Sequence, residues 1–387
     1  MEKLIPFIQH YQWGSQNHDN LVRSIYLKNN EASYDHEKGK HWAEAWMGTH
    51  PNGEALLKSN EEPLSKHINK NLKFLFKVLS IDKCLSIQVH PDKKAAVQLH
   101  ETNAQNYKDN LPKPEIAIAL TELLAFNGFV SKEVLTNRFE LFPSIKEYIT
   151  KDIELNKAFN NTYEENFLKG ISAKLLNETE QALKLLIDKI KCELSSIKIE
   201  TNFTMSAKRA FSQYANDVGL IFIFLMNVIK VPAGHAIFIH PGCIHAYIEG
   251  EIVECMAASD NVIRVGLTNK YRDISSFLDY GVFKSTKSSY YKPDTVSKEK
   301  SGLNVLEYDN NNNGYFKVYR IFGHEIDSTY RNDIKLIKNS IVVNMGGNVT
   351  INGELLKPLE VALIKSDLME IESLKTTVDL YVATEYE

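Results

Sequence analysis

The chain is poor in cysteine and does nothing to arrange the few it has. Cys84, Cys192, Cys243 and Cys255 lie far apart with no Cys-x-x-Cys pair, which argues against a disulfide framework; their apolar surroundings suit buried thiols in a reducing compartment. An excess of charge of either sign is also missing. With 45 Lys and Arg against 49 Asp and Glu, the formal net charge of -4 gives no electrostatic reason to expect nucleic acid, so any phosphate site has to be local. Long hydrophobic runs are absent too. LIFIFLMNVI at 220–229 is half the length needed to span a bilayer and is bounded by Gly219 and Pro232, so it reads as a core strand and no membrane partner is expected. The opening MEKLIPFIQHYQWG has neither a continuous apolar segment nor a small-residue cleavage pattern, and a cytoplasmic setting is expected.

What is present is an ordinary globular composition, 43% hydrophobic and 24% charged over 387 residues. That length is enough for roughly two to three domains and for a site shielded from water. Residues 1–130 read as strand-rich: FLFKVLSI (74–81), LSIQV (85–89) and EIAIAL (115–120) are short apolar segments between Pro, Gly, Asn and Asp. HPDKKAAVQLHETNA (90–104) reads as a helix entered through Pro91 and Asp92. Residues 131–217 carry apolar positions at three- and four-residue spacing with almost no Gly or Pro, which predicts a helical insertion. Strand character returns over 218–285. The Lys- and Ser-rich stretch 284–302 reads as a linker, NNNN at 310–313 as a loop tip, and the alternating segments within 286–387 as a second β domain.

The chemistry lies in polar residues that do not belong in a core. In SIQVHPDK (86–93), strand alternation sends Gln88 and His90 to one side and Ile87 and Val89 to the other. Taken alone, such a pair is more often satisfied structure than a ligand set. Glu115, however, opens an apolar strand, where a carboxylate is costly to bury unless paired or coordinated. His245 follows the Pro-Gly turn of HPGCIHAYIEG. Gln88, His90, Glu115 and His245 together offer two nitrogens and two oxygens, a set compatible with a divalent ion such as zinc. Lys77, Lys113, Arg264 and Lys270 place cations in similar strands, where solvated edges are the bland reading and an anionic substrate the sharper one. Glu254 and Asp260 add carboxylates that burial could tune toward proton transfer.

These segments resemble the type I mannose-6-phosphate isomerases (phosphomannose isomerases), zinc-dependent members of the cupin superfamily. The matching stretches are YQWGS (11–15), AEAWMGTHPNG (43–53), LSIQVHPDK (85–93), KPEIAIAL (113–120) and HPGCIHAYIEGEIVECMAASDNVIRVGLTNK (240–270), in the family's order. Pro112 and Asn269 stand where members often carry His and Pro. The resemblance implies a mainly β fold with an α-helical insertion: a cupin (jelly-roll) barrel in two parts, 1–130 and 218–285, a helical domain at 131–217 and a second cupin-like domain at 286–387. It implies one zinc ion held by Gln88, His90, Glu115 and His245, and Arg264 acting at the reacting end of the substrate. Lys113, Glu254, Asp260, Lys77 and Lys270 would line the site. The reaction implied is interconversion of mannose 6-phosphate and fructose 6-phosphate, with Glu254 or Asp260 as proton carrier and the phosphate on Ser86 with Lys77, Lys113 and Lys270. A sugar phosphate is the expected partner and a monomer the expected state, a homodimer being the alternative. Another cupin metal chemistry, such as an iron-dependent oxygenase, and a non-catalytic sugar-phosphate sensor are the competing readings.

Overall fold

The computed structural model describes residues 1–30, 39–287, 289–298, 302–309, 313–323, 332–373 and 376–386. The strand His245–Ala257 organises the part of the fold that holds the polar residues. Its first half pairs with Leu123–Phe129 and meets Gln88; its second half pairs with Phe74–Ile81 on one side and Glu115–Ala119 on the other. Ile87–Val89 pairs in turn with Ile263–Gly266, and Glu115–Ala119 with Ala236–Ile239. Every one of these ladders is antiparallel. Ile87 and Val89 are fully buried in an apolar cluster that includes Phe126, Phe222 and Phe224, while Gln88 faces the opposite side. Burying each such side chain stabilises the fold by about 1.5–3 kcal/mol, which is what holds Gln88 and His90 in one direction.

Helices fill the region between the two halves of this sheet, as the spacing predicted. Lys93–Asn103 starts at Asp92, whose carboxylate accepts from the Ala95 N–H; Lys132–Leu141 starts at Ser131, and Asn202–Gln213 at a capping box of Thr201 and Thr204. The apolar run 220–229 departs from expectation. Gly219–Phe222 is helical, Ile223–Leu225 continues as a 3-10 turn, and only Met226–Val231 is strand. A short apolar run that is buried on all sides carries no periodicity to distinguish helix from strand. Here Asp217 accepts from the Gly219 N–H at 2.6 Å and starts the turn, and the buried Arg138 donates to the Phe224 and Met226 carbonyls at 2.6 and 2.9 Å and ends it. Cys84 and Cys255 are buried free thiols as expected, but Cys192 is exposed, on the outer face of the helix Glu180–Ser196.

Among the described residues, six C-terminal strands form most of an eight-stranded antiparallel sheet, and four more form a smaller one. The larger sheet also takes the chain's first strand: Glu2–Ile5 lies beside Val361–Ile364, and Leu56–Leu57 beside Glu2–Ile5. The stretch read as a linker contributes a strand to it, Asp294–Lys298, paired with Asn304–Tyr308. Three of the four residues of NNNN (310–312) lie outside the described residues; Asn313 caps the next turn by accepting from the Tyr315 and Phe316 N–H groups.

Candidate metal centre and cavity

Three strand ends converge on one buried point. Gln88 stands directly opposite His245, and Glu115 opposite both Ile239 and Met256. His90 Nε2 is 3.2 Å and His245 Nε2 3.8 Å from the same Glu115 oxygen, and the Gln88 side-chain amide is 3.4 Å from His245 Nε2. One ligand atom each from His90, Glu115 and His245 falls within 4.8 Å of the others, and all three residues are buried. His90 Nδ1 lies 3.0 Å from the Asn261 carbonyl and His245 Nδ1 2.9 Å from the Cys243 carbonyl. A carbonyl only accepts, so each Nδ1 carries the hydrogen and each Nε2 keeps its lone pair aimed at the common point.

The residues fit a zinc ion. His90 Nε2 is a buried nitrogen with no hydrogen-bond partner, an orphan acceptor of a kind folded proteins rarely leave. Burial, reinforced by the neighbouring His90, pushes the His245 imidazole down to about 4, which leaves it neutral near pH 7. Burial pushes the Glu115 carboxyl up, but His90 and Lys113 outweigh it and hold the group well below the ordinary carboxylate range. Two imidazoles and one carboxylate are ligands a catalytic zinc accepts, and the Gln88 amide is an unusual fourth. The Pro241-Gly242 turn sets both histidines: Gly242 has φ +72° and a Cβ there would meet the Tyr280 carbonyl at 2.7 Å, while its N–H donates to the His90 carbonyl at 2.8 Å.

Beside this cluster opens a cavity of about 500 Å3, lined among others by Ser86, Gln88, Glu115, Glu254, Arg264 and Lys270. The remaining sequence-predicted residues, Lys77, Lys113 and Asp260, line it too. Their commitments differ. Lys77 Nζ is 3.0 Å from Glu254 and 3.3 Å from Glu44, and Lys113 Nζ is 3.2 Å from Glu115. Arg264 lies directly across the ladder from Gln88 and has no ion pair among the described residues. Lys270 sits at the rim, 5.2 Å above the Tyr11 ring. Asp260 accepts from Asn52 at 2.7 Å and lies 3.3 Å from His50. Burial raises the Glu254 carboxyl above its ordinary value despite Lys77; burial also acts upward on Asp260, but the His50 hydrogen bond reverses it.

Several site residues were not singled out beforehand. Glu44 and Trp46, in AEAWMGTHPNG, hold Lys77: the Trp46 indole N–H donates to Glu44 at 2.5 Å and its ring lies 5.3 Å from the ammonium. The Tyr247 hydroxyl donates to Glu254 at 3.0 Å. Asp217 accepts from the Leu267 and Thr268 N–H groups at 2.6 and 3.1 Å and fixes Leu267 at φ +52°, the turn before Lys270. Glu44 carried a usable signal, a carboxylate opening an apolar strand as Glu115 does; the Asp217 contact had none.

A buried His-Glu-His cluster opening onto a cavity whose guanidinium has no ion pair among the described residues defines a metalloenzyme site for an anionic substrate, carried on an antiparallel β fold. The phosphomannose isomerase type I catalytic domain matches residues 1–132. A probable mannose-6-phosphate isomerase of Caenorhabditis elegans is 34% identical over 308 residues, 76% of this chain and 74% of its own, and the mannose-6-phosphate isomerase of Schizosaccharomyces pombe is 32% identical over 337 residues, 80% of each. The mannose 6-phosphate isomerase of Salmonella typhimurium, solved with fructose 6-phosphate and zinc, superimposes with a TM-score of 0.83 at 26% identity over 100% of both chains. The chain belongs to the mannose-6-phosphate isomerase family, and its fold is the expected cupin type with a helical insertion.

Proposed function

We propose that the chain is a zinc-dependent isomerase that interconverts mannose 6-phosphate and fructose 6-phosphate. The observation that carries this reading is the His90–Glu115–His245 cluster with Gln88 at the mouth of the cavity, in a member of this family. Gln88, His90, Glu115 and His245 would hold the zinc, which when bound would supply Lewis acidity toward a sugar oxygen. Gln88 is neutral, so Glu115 would be the single anionic ligand.

The aldose to ketose shift moves a proton between C2 and C1 of the opened sugar. Glu254 is the carrier: its carboxyl is buried, raised by burial, and oriented by Tyr247 and Lys77, which suits a group that must both take and return a proton near neutral pH. Asp260 is the second candidate, but its oxygens are engaged by His50 and Asn52 and its affinity for a proton is lowered. Arg264, with no ion pair among the described residues, balances the negative charge of the enediolate. Ser86 and Lys270 receive the phosphate, supported by their place on the cavity wall with no carboxylate partner among the described residues. Lys77 and Lys113 contribute field from behind, since their ammonium groups are already paired with carboxylates.

The segments 1–130 and 218–285 act as one catalytic unit, 131–217 as its helical support and 286–387 as a second β unit; all eleven site residues singled out in the sequence fall in the first two ranges. A single chain supplies the whole site, which supports action as a monomer, and four free thiols support a cytoplasmic setting. The test is a coupled assay of fructose 6-phosphate formation from mannose 6-phosphate in metal-replete and chelator-treated protein. Turnover that a chelator abolishes and zinc restores is expected; no turnover in the replete protein overturns the reading.

A further inference from the structure

Two loops that supply the site are tied together by one carboxylate outside it. Asp109 Oδ1 accepts from the Ser259 hydroxyl at 2.8 Å, from the Asn261 side-chain amide at 3.0 Å and from the Leu111 N–H at 2.9 Å; Oδ2 accepts from the Asp260 N–H at 2.8 Å. The Asn261 amide also donates to the Asp109 and Leu111 carbonyls at 2.8 and 2.9 Å. Ser259 and Asn261 are fully buried, so water offers no substitute partner for these donors. The two loops run straight into the site. After Leu111 come Lys113 and Glu115, while the other loop carries Asp260 and, through the Asn261 carbonyl, the acceptor 3.0 Å from His90 Nδ1.

We propose that Asp109 is a positioning residue for the metal: by fixing the 259–261 turn it aims the Asn261 carbonyl that holds His90 in its ligating orientation. The inference rests on the zinc reading of the site. The chain of contacts is Asp109 to Asn261 to His90, and Asp109 itself touches neither substrate nor ion. Its charge is matched to its task, because three donors from one short turn meet a single carboxylate, and hydrogen bonds to an ionised acceptor are the short, directional ones. A partner one step behind a ligand, as the Asn261 carbonyl is to His90, influences metal affinity by about ten- to a hundredfold, and Asp109 acts one step further back through it.

The test is zinc affinity of the full chain by competition with a fluorescent chelator, together with the rise in Tm on adding zinc, for the parent, Asp109→Ala and Asp109→Asn. Asp109→Ala is expected to bind zinc up to about tenfold more weakly and to show a smaller zinc-induced rise in Tm. Asp109→Asn keeps the oxygen that faces Ser259 and Asn261 but turns an amide toward the Asp260 N–H, and is expected to fall between. If Asp109→Ala does not fold, Asp109→Asn decides. Parent-like zinc affinity and Tm rise in the variants, even with a lower Tm of the zinc-free protein, would mean Asp109 is merely structural and overturn the inference. A parent that itself fails to bind zinc overturns the metal reading first, and this inference with it.

Discussion

Lys77 and Glu254 face each other across two antiparallel strands, ammonium and carboxylate 3.0 Å apart, 177 residues apart in the chain. Glu44 completes the arrangement from the other side of Lys77. One buried cation thus compensates two buried carboxylates, which is why removing it is costlier than its single position suggests. Lys77→Met is expected to destabilise the protein by about 3–5 kcal/mol by leaving uncompensated buried charge, measured by urea unfolding with the zinc-loaded chain. A change below about 1 kcal/mol would show that the carboxylates simply take up protons.

Glu254→Gln keeps the shape and the Tyr247 contact but cannot carry a proton. Its kcat is expected to fall by about 10²–10⁴-fold with KM little changed. Product formed in deuterated water by the residual activity should lose deuterium at the transferred position. Full exchange in Glu254→Gln together with near-normal kcat would move the role to Asp260.

Ser86 and Lys270 are assigned to the phosphate. Each hydrogen bond to a charged group is worth about 1.5–3 kcal/mol, so Lys270→Ala is expected to raise KM for the phosphorylated sugar by roughly tenfold to a hundredfold. Steady-state kinetics on Lys270→Ala and Ser86→Ala check this, and unchanged KM in both would place the phosphate elsewhere in the cavity.

Asp217 acts at a distance on the same rim, since it holds the Leu267 and Thr268 N–H groups and the start of the helix Gly219–Phe222. Asp217→Ala releases a non-glycine residue from φ +52°. A higher KM is expected, with stability lower by about 1–3 kcal/mol for the donors left unsatisfied; thermal unfolding and kinetics on the same preparation separate the two.

Acid should loosen the N-terminal strand. Lys3 and Glu360 are 2.7 Å apart, joining Glu2–Ile5 to the sheet it enters. Burial acts to raise the Glu360 carboxyl, but the Lys3 hydrogen bond and the Lys357 N–H bring it below its ordinary value of 4.5. A depressed carboxyl stabilises the fold above its unfolded value, and that contribution is lost as pH falls below 4.5 through the folded value. Urea midpoints at pH 7 and in the acid range should therefore fall less in Glu360→Gln than in the parent; equal losses in both would assign the acid sensitivity to other carboxylates.

The metal set was legible because its signal is local. Alternation along three residues decides that Gln88 and His90 share a side, and a carboxylate opening EIAIA or a histidine after Pro-Gly is conspicuous against its neighbours. The helical insertion was legible for the same reason, being periodic over many turns. Where the signal was ambiguous or distributed, the reading failed: 220–225 is helical because Asp217 and Arg138 terminate it, and part of the apparent linker is a strand because Asn304–Tyr308 lies beside it.

What the sequence determined by itself was the direction of side chains along each strand and the donor types available, hence a set compatible with a divalent ion; the cupin fold followed from the resemblance of its motifs. Only the tertiary structure decided which charges meet. It pairs Lys77 with Glu254 and Glu44, sets Arg264 opposite Gln88, and sends the first strand into the C-terminal sheet. Periodicity is set by sterics within a few residues, whereas these pairings depend on the register of strands far apart in the chain, which no local pattern encodes.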